Sequence, residues 1–238
     1  MRDKESVSDH LAIKSLEENA AALQRQQSQA ETRTAQKIIL QAAIHEFALN
    51  GLHGARIDAI VARSNINKRI LYHHFKDKES LYRAALLEIV THLRQAELRQ
   101  LQTPYPSASD SICAFARFLW RYCLENPYFV SFVSGENHLK GKYMLDESGM
   151  SGSHAPFLEN FKALLTQGVS EGQFRSGLNA LRTYMTISGL CFYYIHNRFT
   201  LMAAYGTDLE TEEALQAWED HIVTLLLASI SKTGRIDP

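Results

Sequence analysis

Proline and glycine are scarce, with 5 and 12 among 238 residues. A fold of many short strands needs those residues at its turns, so their scarcity points to helices. Long apolar runs are missing too. Ile187–Ile195 and Ile222–Ile230 are the longest, and polar residues interrupt both. Neither reaches the ~18–20 apolar residues that span a bilayer, so no membrane partner is expected. The first residues, Met1-Arg-Asp-Lys-Glu-Ser, are charged and do not read as a secretory signal. Cysteine is limited to Cys113, Cys123 and Cys191, an odd number scattered through apolar segments. They read as buried thiols in a reducing cytoplasm. Motifs of metal, redox, phosphate or hydrolytic chemistry are absent: no His-Glu-x-x-His, Cys-x-x-Cys, Gly-rich phosphate loop or Gly-x-Ser-x-Gly occurs. His73 and His74 are adjacent, so on a helix they point to different faces and make no i, i+4 ligand pair. No catalytic residue, metal or cofactor is expected.

What is present is ordinary in bulk and uneven in place. Hydrophobic residues make up 45% and charged residues 21%, as in a soluble globular chain. The net charge of −1 conceals a split. Residues 33–83 carry nine basic and four acidic groups, a balance of +5, whereas residues 1–32 sum to −2 and residues 84–238 to −4. A basic block on an acidic body suits a polyanion-binding head. Solvated helix faces also carry such clusters, so charge alone does not decide the matter.

Residues 1–31 are rich in Gln, Glu, Ala, Ser and Lys, with Leu11, Leu16 and Leu23 too sparse for a buried stripe, and read as a flexible or loosely helical arm. From Arg33 the pattern changes. Ile39, Ala43 and Phe47 share one helical face, and Asn50-Gly51 ends that helix. Ile57, Ile60, Val61 and Ser64 mark a second helix, broken at Ser64-Asn65 where Asn tolerates a positive φ. Asn67 caps a third, Lys68–Phe75, and Asp77 a fourth, running to about Leu101. Thr103-Pro-Tyr-Pro-Ser separates this head from a body with helices at 109–125, 127–138, 156–171, 180–204 and 211–231. The Gly- and Ser-rich stretch 140–155 reads as a loop.

Two short helices joined by Ser-Asn-Ile-Asn form a helix-turn-helix candidate. On the third helix Leu71 and Phe75 make an inward face, with Ile70 and His74 beside them. Arg69, Tyr72, His73 and Lys76 fall at i, i+3, i+4, i+7 on an outward basic and aromatic stripe. Such a helix suits the major groove of double-stranded DNA, ~12 Å wide. Arg69 and then Lys68 are the candidates for guanine O6/N7, with Tyr72 and His73 on phosphate or thymine methyl groups. Lys78, at the start of the fourth helix, suits a phosphate. Arg56 and Asn67 complete the candidate DNA-binding set. Taken singly these are ordinary surface charges; together, on a short helix after a capped turn, they read as a recognition surface.

The run from Gly51 through Ile60 to Asn67–Leu81, above all Leu71-Tyr72-x-x-Phe75-x-x-Lys78-Glu79-x-Leu81, resembles the DNA-binding head of the TetR family. Asn65 and Asn67 stand where that family often has Gly and Ser, and both keep the turn and cap roles. Ala55-Arg56 replaces a frequent Thr or Ser, which leaves the second helix a weaker N-cap. Ser134–Tyr143, Gly172-Gln-Phe-Arg175 and Asn197-Arg-Phe-Thr200 resemble the branch holding repressors of nicotinate and pyrimidine breakdown. The resemblance implies phosphate contacts from Tyr72 and Lys78 and a palindromic operator read by a homodimer. The expected fold is all-α: a three-helix helix-turn-helix head at 32–82, and a helical ligand-binding and dimerisation body at 83–238.

Within the body, Tyr194, Leu215, Trp218, Ile222, Leu225 and Leu226 are candidates for a two-fold helical interface, the alternative being closure of the protomer's own core. Phe118, Tyr122, Phe132 and Phe192 are candidate aromatic walls of an effector pocket, against ordinary core packing. His138, Arg175, His196 and Asn197 are candidate polar anchors, against surface or capping roles. An aromatic or heterocyclic acid would take Arg175 or His138 as counter-charge. The expected function is a cytoplasmic, ligand-released repressor. An activator of the same fold and an all-helical enzyme are the alternatives.

Overall fold

The computed structural model describes residues 2–145 and 148–232. Met1, Asp146, Glu147 and residues 233–238 lie outside the described residues, as do the side chains of Leu11, Leu16 and Leu23. The helices are α1 (Arg2–Gly54), α2 (Ile57–Ser64), α3 (Lys68–His74), α4 (Lys78–Gln102), α5 (Ala108–Glu125), α6 (Pro127–His138), α7 (Lys142–Leu145), α8 (Ser148–Ser170), α9 (Ala180–Tyr205) and α10 (Glu212–Ile230). The sole β pairing among the described residues is one bridge, Phe174 to Ser231. No described helix is long and apolar enough to cross a membrane.

The head forms where local signals agree. Gly51, at φ 62° and ψ 179°, kinks α1 at the expected stop, and one further turn runs to Gly54. No backbone break separates residues 2–31 from 32–50. Asn65 ends α2 in the left-handed conformation at φ 54°. Asn67 caps α3 by accepting from the Ile70 amide at 2.9 Å, and Asp77 caps α4 by accepting from that of Ser80 at 2.7 Å. Arg56 offers α2 no side-chain cap; its own amide instead donates to Glu46 Oε1 at 2.9 Å. Ile39, Ala43, Phe47, Ile60, Leu71, Phe75 and Leu81 are buried together in the core.

Head and body share α4. Tyr82 on that helix packs edge-on to Phe47 of α1 and Phe132 of α6, each at 5.0 Å between ring centres. Its hydroxyl donates to Glu136 Oε2 at 3.1 Å. Glu136, 1% exposed, also accepts the amides of Tyr143 and Met144 through Oε1. This buried carboxylate is matched on both oxygens, which is what makes its burial tolerable.

In the body, α5 buries Ile112, Phe115, Ala116, Leu119, Trp120 and Cys123 against its neighbours α4, α8, α9 and α10. Arg121 clamps Glu219 of α10 through Nε and Nη2, at 3.0 and 2.9 Å. Cys123 and Cys191 are buried and Cys113 half-buried, all three free; burial pushes the Cys191 thiol up to about 12. The α8–α9 turn folds back so that the Arg175 amide donates to the Ile230 carbonyl at 2.8 Å.

Two expectations are corrected here. The stretch 140–155 is not one loop, because α7 occupies part of it and α8 begins at Ser148 and runs through Pro156. Proline costs the helix one hydrogen bond there, but Phe157, Phe161 and Leu165, at i, i+4, i+8, are 0–3% exposed and anchor it. Three of the expected interface residues face inward instead. Ile222 and Leu226 are at most 1% exposed, and Tyr194, 4% exposed, lies against Trp120 and Trp218 and donates its hydroxyl to the Leu209 carbonyl. They close the protomer's own core. Leu215 and Trp218 are half-buried, and Leu225 is exposed.

The Phe174 ring lies directly over Gly168, where an added Cβ would meet it at 2.0 Å. Gly168→Ala is expected to lower stability by about 1–3 kcal/mol, through overpacking. Denaturant unfolding checks this; an unchanged midpoint would mean the turn yields freely.

Candidate nucleic-acid interface and effector site

The α3 surface divides as its spacing requires, but the helix stops at His74: Phe75 is its extended C-cap and Lys76 lies just beyond it. Leu71 is fully buried and Phe75 nearly so, whereas Arg69, Tyr72, His73 and Lys76 are exposed. Among the described residues no hydrogen bond or ion pair holds Arg69 or Lys76. Asn67, Arg69, Ile70, Tyr72 and His73 line an open concavity. The outward face is thus a stripe of cations and rings, and among the described residues Arg69 and Lys76 have no hydrogen-bond or ion-pair partner.

Two of the other basic candidates, Lys68 and Lys78, are engaged. Lys68 Nζ lies 2.8 Å from Asp58 Oδ1, and this contact holds the Asp58 carboxyl below its ordinary value. Both groups are solvent-exposed, so the pair is easily exchanged for a phosphate or a base. Lys78 Nζ donates to the His53 carbonyl at 3.1 Å, tying the start of α4 to the end of α1. Its charge therefore sits at the junction of two helix ends. Arg56 is exposed on the approach to α2.

The eight expected effector residues do not converge. Phe132 belongs to the head–body joint beside Phe47 and Tyr82. Arg175 is exposed, and its Nε donates to the Ser229 carbonyl at 2.9 Å, so the guanidinium clips the turn to α10 rather than pointing inward. His138 is exposed with Nδ1 2.8 Å from the Ser134 carbonyl on its own helix. His196 is exposed with Nδ1 3.3 Å from Ser134 Oγ, and Asn197 bonds the Tyr193 carbonyl within α9. These four polar groups are taken up by surface and helix contacts. Phe118 and Tyr122 line one side cleft of about 380 Å³ with Arg117 and Arg121. Tyr122 also lines a second, of about 480 Å³, where Gln41 and Ile44 of α1 meet Glu88 and His92 of α4. Phe192 is half-buried against Phe129.

The body interior holds charges that were not among the expected site residues. Arg94 and Glu97 on α4 are 7% and 0% exposed. Arg94 Nη1 lies 2.8 Å from Glu97 Oε2, and Nη2 donates to Tyr184 Oη, which donates onward to Glu97 Oε1 at 3.0 Å. The guanidinium stacks 4.5 Å over Phe157. Burial pushes Glu97 up to about 7, against the opposing pull of Arg94 and the Tyr184 hydroxyl. A signal for this existed in the sequence: Leu86, Val90, Leu93 and Glu97 fall at i, i+4, i+7, i+11, so a carboxylate completes an apolar stripe.

Residues 39–85 match the family model described as bacterial regulatory proteins, tetR family, and residues 109–226 match that of the tetracyclin repressor-like C-terminal domain. The chain belongs to the TetR family. It is similar to the HTH-type transcriptional repressor NicS of Pseudomonas putida, 27% identical over 194 residues that cover 82% of this chain and 91% of that protein. A TetR family transcription regulator from Marinobacter aquaeolei shares the fold at a TM-score of 0.65 and 14% identity, over 86% of this chain and 98% of that one. FadR from Bacillus subtilis, solved in complex with stearoyl-CoA, does so at 0.57 and 15%, over 80% and 97%. As a TetR-family member the chain falls in a class of regulators, not enzymes.

Two predictions follow from the free and engaged cations of this TetR head. Arg69→Ala is expected to cost about 1–3 kcal/mol of DNA affinity and relax preference at one base position. Lys78→Ala is expected to weaken binding to all sequences and lower the salt slope by about one unit. Titrations at several salt concentrations check both; parental affinity in both variants would refute the contact assignment. A third concerns Glu97. Its raised folded-state pKa means the folded protein holds that proton more tightly than the unfolded chain. The resulting stability is fully present below the unfolded value of 4.5 and is lost as pH rises towards about 7. Denaturation of Glu97→Gln across that window is expected to give a flatter pH dependence than the parent; parallel curves would count against the shift.

Proposed function

We propose that this chain is a repressor that binds a palindromic operator as a homodimer and is released by a small ring-containing effector held in the body. In this reading residues 32–82 are the DNA-binding head, residues 83–238 the effector-binding and dimerisation body, and residues 1–31 an arm preceding the head. The observation that carries it is the α3 stripe. Arg69, Tyr72 and His73 stand exposed on the helix and Lys76 just past its end, while Leu71 and the C-cap residue Phe75 lock the segment into the head. Dimeric proteins with such helices read half-sites one DNA turn, ~34–36 Å, apart.

A dimer surface is supported by apolar groups left on the outside of α9 and α10. Leu181, Met185, Tyr193 and Phe199 on α9 are 51–59% exposed, and Leu225 on α10 is 40% exposed. Leu181, Met185 and Tyr193 lie on one face with Gly189 between them, which has open space around it and lets a second backbone approach. This stripe replaces Tyr194, Ile222 and Leu226 in the proposed interface and keeps Leu225, Leu215 and Trp218 at its edge. Repression is supported by the likeness to the repressor NicS, and a small-molecule partner by the FadR complex.

Selection of bound DNA from a random pool tests the reading. The expected product is an inverted repeat with half-site centres about one turn apart. Met185→Glu with Tyr193→Glu is expected to give a monomer in sedimentation and to lose that product while the helices stay folded. A monomeric parent, or recovered DNA without two-fold symmetry, would overturn the dimeric-repressor reading.

A further inference from the structure

An acid stands beside the first cation of the recognition helix. Residues 33–83 hold four acidic groups, and two of them bond backbone amides: Glu46 accepts that of Arg56, and Asp77 that of Ser80. Asp58, in the first turn of α2, instead meets a side chain, the Lys68 ammonium at 2.8 Å. Lys68 opens α3 directly after its Asn67 cap, so the pair bridges the helices on either side of the turn. That is the end of a recognition helix that meets base edges. Asp58 and Lys68 remain in water, their side chains 70% and 53% exposed. An exposed pair of this kind adds little to stability, so its consequence lies in what the ammonium can still reach. The contact holds Asp58 below the ordinary carboxylate value, with Arg56 adding to the pull, and holds Lys68 above its own. Arg69, next along the helix, and Lys76, beyond its end, have no such partner among the described residues.

We propose that Asp58 is a specificity-determining residue of the head: by holding Lys68 it withdraws one cation from sequence-independent phosphate contacts. This role rests on the regulator reading above and adds a residue to its DNA-facing surface. Duplex DNA carries one negative charge per ~1.7 Å of its axis, and sequence-independent binding collects whatever cations are free. Lys68 can leave Asp58 for a phosphate, but the exchange strands the carboxylate beside that same phosphate. Like charges at that range repel, so the exchange returns little. A seated complex loses less by the pairing. There the first turn of α3 faces base edges rather than phosphates, and the planar donors of Arg69 suit guanine O6/N7. The carboxylate therefore lowers binding to wrong sequences more than binding to the right one. Discrimination rises because the competing term falls.

The test compares the full-length parent with Asp58→Asn and Asp58→Ala in titrations at several salt concentrations. One duplex is the operator recovered by selection, and the other is a scrambled version of it. Both variants are expected to bind the scrambled duplex about threefold to tenfold more tightly at low salt, with a salt slope steeper by about one unit, the signature of one more phosphate contact. Operator affinity is expected to rise by less than about twofold, so the ratio between the two duplexes falls. Lys68→Met separates the pairing from the acid's own field. In that background Asp58→Asn is expected to change scrambled-duplex affinity by less than about twofold. Should Asn unsettle α2 in melting curves, Asp58→Ala, with the better helix former, carries the same comparison. Unchanged binding to the scrambled duplex, weaker binding to both duplexes, an equal or larger gain on the operator, or the same gain with and without Lys68 would overturn the inference. A parent from which selection recovers no preferred sequence is a failure of the regulator reading instead, and is seen before any variant is made.

Discussion

One unbroken helix sets what this molecule can do. The helix α4 starts at Lys78, whose ammonium reaches the His53 carbonyl beside the head, and passes Arg94 and Glu97 deep in the body before ending at Gln102. Its 25 residues make a rod of about 37 Å. A rod transmits tilt, not local softness. A tilt of about 5° at one end moves the other by about 3 Å, on the scale that separates a seated recognition helix from a misplaced one. Tyr82 keeps the rod in register with α1 and α6 through Phe47, Phe132 and Glu136, so the head has no independent hinge at this joint.

Two buried carboxylates show how the same physics is used in opposite ways. Glu136 is fully bonded and fixes the joint between head and body. Glu97, pushed up by burial, is held among the described residues by the Arg94 ion pair and the Tyr184 hydroxyl. A matched buried group rigidifies; an unmatched one leaves free energy that another molecule recovers by binding. The two lie on or against the same helix, one towards each end. Stiffness near the DNA and adaptability in the body are therefore separated along α4.

The head was legible because local chemistry and tertiary fold agree there. Gly51, Asn65, Asn67 and Asp77 each act within a few residues of themselves, so stops and caps could be read from residue type alone. The outward set on α3 followed from helical spacing. The body was legible as helices but not as a site. A helix start was expected at 156, after a loop, because the cost of Pro156 is local, whereas the burial of Phe157, Phe161 and Leu165 that overrides it depends on partners far along the chain. Arg175 looked like an anchor for the same reason: the Ser229 carbonyl that occupies it lies 54 residues away. Tyr194, Ile222 and Leu226 have the spacing of an interface, but periodicity tells only that a face is apolar, not whose surface covers it. Arg94 and Glu97 were overlooked because charged residues on a helix are solvated by default, though Glu97 sits in register with Leu86, Val90 and Leu93.

Magnitudes decide whether such an arrangement is adequate for control. Moving a two-state protein from 1:99 to 99:1 takes about 5.5 kcal/mol of differential binding, and a ligand that binds both states equally moves nothing. In the proposed dimer two ligands share that requirement, about 3 kcal/mol each. Ring burial alone contributes similarly to both conformers and cancels. Polar contacts made in one conformer alone do not cancel, and one or two hydrogen bonds to charged groups supply about that amount.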